Sequence, residues 1–96
     1  KMDKQLYHIR WKLHHTLAEL NYSLECFGDY LAKQNDYPYD IDGFEAIYLY
    51  LQRKYSWPLD KSRGMSLSDI RLALSVEMKG WTLPRDAIFE EFPGVY

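Results

Sequence analysis

Leu6, Leu13, Leu20 and Phe27 recur every seven residues, and Ile9, Leu17, Leu24, Tyr30 and Leu31 fill in beside them. Apolar residues at this spacing form one stripe along an amphipathic helix. No proline interrupts the pattern between residues 3 and 34. The spacing therefore predicts a single helix of about 30 residues, roughly 45 Å long at 1.5 Å per residue. Asp3 suits its N-terminus, where a carboxylate accepts from unpaired backbone N–H groups and meets the positive end of the helix dipole. A second set, Tyr7, Trp11, His14, Ala18 and Tyr22, lies on another side. The N-terminal half thus has two non-polar sides, and the second is expected to be covered within the chain. Gly28 lowers helix propensity and marks a kink or a close helix crossing.

Residues 35–41 (NDYPYDI) read as a turn, because Tyr37 before Pro38 prefers an extended backbone and Asn, Asp and Pro favour turns. A second helix follows, with Asp42 as N-cap and Glu45 completing a variant of the capping box. Phe44, Ile47, Tyr48, Leu51 and Tyr55 are its expected buried face, and it ends before Trp57-Pro58. Residues 56–65 read as a loop, with Trp57 and Leu59 tucked onto the core and residues 60–64 solvated. A third helix opens at Ser66 and runs to Gly80 on a face of Leu67, Ile70, Leu74 and Met78, widened by Leu72 and Val76. Pro84 to Phe92 reads as a short fourth helix with Ile88, Phe89 and Phe92 as contacts. These elements predict an all-α, three- or four-helix single domain, residues 1–96, built on the long N-terminal helix.

Composition narrows the class. The chain has 96 residues, 47% of them hydrophobic, enough for a core without metal or disulfides. Its one cysteine, Cys26, cannot form an internal disulfide. With a charged start that shows no secretory leader, this points to the cytoplasm. No segment approaches 18 consecutive apolar residues, so no membrane partner is expected.

Candidate chemistry is sparse. His8, His14 and His15 are the only histidines, and neither the seven-residue nor the adjacent spacing brings two rings to one ion. Cys26 lies between Glu25 and Asp29, whose charge disfavours a thiolate. No nucleophile elbow or glycine-rich phosphate loop is present. The expectation is a non-enzyme with no cofactor and no metal.

Charge is unevenly spread although the net value is only −2. Between residues 19 and 45, seven carboxylates stand against Lys33 alone, and six of the nine tyrosines lie between Tyr22 and Tyr50. Tyrosine gives large rigid contacts at low entropy cost, and surrounding carboxylates steer a basic partner. The expected partner-binding residues are Glu25, Asp29, Asp36, Tyr37, Tyr39, Asp40 and Asp42. A protein–protein interaction role follows: an inhibitor that masks a basic partner, as small bacterial immunity proteins and antitoxins mask a nuclease toxin. Two alternatives use other residues. A nucleic-acid-associated regulator would use Arg53, Lys54, Lys61, Arg63 and Arg71, although the slightly acidic chain offers no general attraction to a polyanion. An assembly chaperone of a phage or secretion machine would use Tyr7, Trp11 and Tyr22. The long stripe also allows a homodimer through the first helix.

Overall fold

The computed structural model describes residues 3–89. It is all-α: α1 (Lys4–Gln34), α2 (Gly43–Tyr55), α3 (Leu59–Arg63) and α4 (Leu67–Ala73), followed by a 3-10 turn at Arg85–Ala87. No strand occurs among the described residues. The principal extents are 51 × 30 × 24 Å, so the long axis is about that of α1 itself.

α1 forms as expected, but its second apolar side is not covered as expected: Tyr7, Trp11 and His14 are exposed. Asp3 caps the helix, with one carboxylate oxygen accepting from the Gln5 N–H at 3.0 Å. Its C-terminus closes by a left-handed stop. Asp36 has φ +54°, its N–H donates to the Lys33 carbonyl at 3.3 Å, and the Tyr37 N–H donates to the Ala32 carbonyl at 2.9 Å. These bonds satisfy carbonyls that a helix end leaves without partners.

The core occupies only one end of α1. Leu24, Phe27 and Leu31 pack with Ile47 and Leu51 of α2 and with Ile70 and Leu74 from α4 and its C-cap. α1 and α2 cross closely at two glycines. A Cβ at Gly28 would stand 1.9 Å from the Gly43 carbonyl oxygen, so the crossing expected at Gly28 is real and excludes any larger residue. Trp81 returns over this core, edge-on to Phe27 at 5.1 Å.

Several expectations change. Residues 59–63 form α3 rather than solvated loop, and Ser62 is fully buried. Trp57 is half-buried as expected, stacked on Tyr55 at 4.6 Å, but Tyr55 itself is 40% exposed. The Leu59 side chain lies outside the described set. The expected third helix is short: α4 starts at its Ser66 cap but ends at Ala73, and residues 74–80 continue as turns to Gly80 at φ +81°. Leu72 and Val76 are exposed rather than part of its buried face. The expected fourth helix is a single 3-10 turn, with Ile88 and Phe89 exposed; Phe92 lies outside the described residues.

Candidate functional site

The residues singled out in the acidic stretch come from three places: the C-terminal half of α1 (Glu25, Asp29), the turn of residues 35–42, and the threshold of α2. The Gly28–Gly43 crossing brings them together. It pins the start of α2 against α1 beside Asp29, whose Oδ1 accepts from the Gly43 N–H at 2.8 Å.

This bond corrects one expectation. Asp42 occupies the N-cap position of α2, but its side chain makes no cap hydrogen bond. The capping carboxylate is Asp29, from another helix. Glu45 also does not complete a capping box; it accepts from Arg63 Nη2 at 2.6 Å instead.

Two shallow grooves meet along Asp29 and Asp42. Asp29, Asp36, Tyr37, Tyr39 and Asp42 line one, together with Lys33. Glu25, Asp29 and Asp42 line the other, together with Tyr22, Cys26 and Asp86. Six of the seven expected residues therefore share one continuous acidic surface. Asp40 is exposed but lines neither groove. Asp86 was not anticipated. It reaches the surface because residues 82–89 fold back along α1, where the Tyr22 hydroxyl donates to the Ala87 carbonyl at 2.6 Å. The pattern around Pro84 suggested a short helix, and no local signal says which helix that segment lies on.

The two tyrosines differ. Tyr39 is 98% exposed. Tyr37 is half-buried, and its ring lies under the Arg53 guanidinium at 5.5 Å. Burial pushes its hydroxyl pKa up, and the Arg53 charge partly offsets this. At Cys26, burial is the largest influence and raises the thiol pKa. The Tyr22 hydroxyl bond works the other way, and the Asp29 and Glu25 charges raise it further. The thiol therefore stays protonated near neutral pH, a poor nucleophile.

Charge pairing differs between the acidic surface and the basic candidate residues. Among the described residues, no cation forms an ion pair with Glu25, Asp29, Asp36, Asp40 or Asp42; the ion pairs are Lys54–Glu77 and Arg63–Glu45, and His15 Nε2 lies 3.2 Å from a Glu19 carboxylate oxygen. The five bases of the alternative basic patch, by contrast, are engaged, Arg53 over the Tyr37 ring. Lys54 bonds Glu77, Arg63 bonds Glu45, and Arg71 donates to the Asn21 side chain at 2.8 Å. Lys61 sits 4.3 Å over the Trp57 ring and Arg63 lies 5.4 Å from the Tyr48 ring.

The histidines lie along the exposed half of α1, with His15 stacked on Trp11 at 5.3 Å. No group of three or more His, Cys, Asp or Glu among the described residues could hold a metal ion. No described helix is long and apolar enough to cross a membrane. Comparison with protein-family models, curated proteins and solved structures finds no match, so the reading of this surface rests on its own chemistry.

Proposed function

We propose that the chain is a non-catalytic protein–protein interaction domain whose acidic, tyrosine-bearing face masks a basic surface on a protein partner. The concrete form is a small inhibitor of immunity-protein or antitoxin type, acting in the bacterial cytoplasm on a basic target such as a nuclease toxin. The observation that carries this reading is the contrast in pairing. The carboxylates of one face have no ion-pair partner among the described residues, while three of the five bases of the alternative basic patch, Lys54, Arg63 and Arg71, are already bonded. Unpaired exposed carboxylates keep their full field for steering a cation-rich partner. A committed base has less to offer a phosphate, which weakens the nucleic-acid reading.

The backbone adds support. Asp36 stands at φ +54°, where glycine is favoured, and it presents a carboxylate at that position nonetheless. Tyr39, fully extended into solvent beside it, offers an anchor for a partner pocket.

The test is affinity capture from native lysate with nuclease present, washed at low and high salt and read by mass spectrometry. The bait is compared with a form carrying Asp36→Lys, Asp40→Lys and Asp42→Lys. A basic protein held at low salt, released at high salt and absent from the triple variant is the expected result. Equal retention by both baits at high salt, or recovery of nucleic acid alone without nuclease, overturns the reading.

A further inference from the structure

The N-terminal half of α1 carries an aliphatic face that the core does not reach. Leu6, Ile9, Leu13, Leu17 and Leu20 remain 39%, 62%, 56%, 37% and 42% exposed. The same stripe continues into Leu24, Phe27 and Leu31, all buried. Hydrophobic burial on α1 therefore stops part-way along a face whose sequence pattern does not change.

The spacing of the exposed stripe limits what fits on it. The steps from Leu6 to Leu20 are three, four, four and three residues, the same read in either direction from Leu13. A second copy of the helix laid antiparallel sets Leu6 against Leu20, Ile9 against Leu17, and Leu13 against its equivalent. A two-fold interface requires this self-complementarity.

Length and direction agree with the same arrangement. The body of the molecule packs on the stripe side of α1, at Leu24, Phe27 and Leu31. A parallel partner would bring two bodies to the same level on facing sides. An antiparallel partner places its Lys4 opposite Tyr22, so each helix ends where the other molecule's body begins. Burying five aliphatic side chains from each copy, with the stems beside them, gives an interface on the order of 1,000 Å², the lower bound for a specific complex.

We propose that this face is covered by a second copy of the chain, docked antiparallel about a two-fold axis at Leu13. This dimer leaves the acidic face outside the contact and does not depend on the role proposed for it.

Sedimentation equilibrium should show a monomer–dimer exchange with a dissociation constant in the micromolar range, about that of a small interface. Leu13→Glu sets two carboxylates on the axis and should weaken the dimer at least about 30-fold while helix content by circular dichroism holds. Leu72→Glu, at a site 74% exposed but off α1, should leave it unchanged. Orientation is read by cross-linking in a Cys26→Ser background. A mixture of Leu6→Cys and Leu20→Cys chains should form a mixed disulfide, whereas each alone should not, since equivalent residues then lie about 21 Å apart. A chain that stays monomeric to about 0.5 mM, a dimer indifferent to Leu13→Glu, or Leu6→Cys cross-linking to itself overturns the proposal. So does a monomer that takes up a foreign apolar helix on this face.

Discussion

Gly28 in α1 and Gly43 at the start of α2 touch backbone to backbone: a Cβ on Gly28 would lie 1.9 Å from the Gly43 carbonyl oxygen and 2.5 Å from its carbon. Neither neighbour is a flexible side chain that could move aside. Gly28→Ala should therefore force the helices apart and cost at least about 3 kcal/mol, the upper range for overpacking. Gly43→Ala is milder. It strains a backbone at φ +52° and meets the Glu25 stem at 3.3 Å, so about 1–2 kcal/mol is expected. Urea unfolding of both variants checks the ranking, and an equal or reversed order would contradict this geometry.

Asp36 separates stability from binding. Its left-handed backbone favours glycine, so Asp36→Gly should raise stability slightly, by about 0.5 kcal/mol after glycine's greater unfolded-state entropy is set against the relieved strain. The same change removes a carboxylate from the acidic face and should slow association with a basic partner, most visibly at low salt. Thermal unfolding and stopped-flow association read the two effects independently.

Glu77 ties α2 to the segment after α4. One carboxylate oxygen accepts from the Tyr50 hydroxyl at 2.8 Å and from the Lys54 ammonium. Burial pushes its pKa up, but the bonds from Lys54 and Tyr50 outweigh this and bring it below the ordinary 4.5. A depressed carboxylate contributes stability that is present above the ordinary value and lost as pH falls through the lowered one. Glu77→Gln should cost about 1 kcal/mol at neutral pH, and the gap to the wild type should close on acidification below about pH 4.5. On the alkaline side, the Glu77 bond raises the Lys54 pKa, so its contribution fades only as pH rises through a value above 10.5. Chemical denaturation across a pH series tests both limbs.

Ser62 is fully buried in α3, and its hydroxyl has no hydrogen-bond partner among the described residues. A buried hydroxyl without a partner opposes folding. Ser62→Ala should be neutral or stabilising by up to about 1 kcal/mol, measured as a shift in the urea midpoint. A loss of more than about 1 kcal/mol would mean the hydroxyl is satisfied in solution.

The parts of this molecule that were legible in the sequence are the ones set by near neighbours. α1 could be read from end to end because its stripe repeats over many turns and Asp3 caps it locally. The Asp42 position of the second helix start and the Ser66 cap were equally readable. The end of α4 was not: the pattern through Met78 stays helical, yet the chain breaks into turns after Ala73, with Leu72 and Val76 left in solvent. Leu74 and Met78 still reach the core from those turns, so the apolar spacing was right about contacts and wrong about the backbone that delivers them.

The candidate surface divides the same way. Its acids and tyrosines were visible as a run, and the run itself placed Asp36, Tyr37 and Tyr39 in one turn. That Asp29 rather than Asp42 holds the α2 N-terminus, that Tyr37 lies under Arg53, and that Asp86 joins from residues far along the chain depend on contacts across helices.

By itself the sequence determined the helical class, the long organising helix and the charge asymmetry, because each follows from spacing and composition along the chain. Only the tertiary structure decided where the core stops on α1. The stripe from Leu6 to Leu31 is uniform in sequence, but α2 and α4 cover it from Leu24 onward and leave the rest open. That boundary follows from where α2 crosses α1, at Gly28 and Gly43 near the C-terminal end of a helix of 31 residues, a contact between segments that spacing along the chain does not encode.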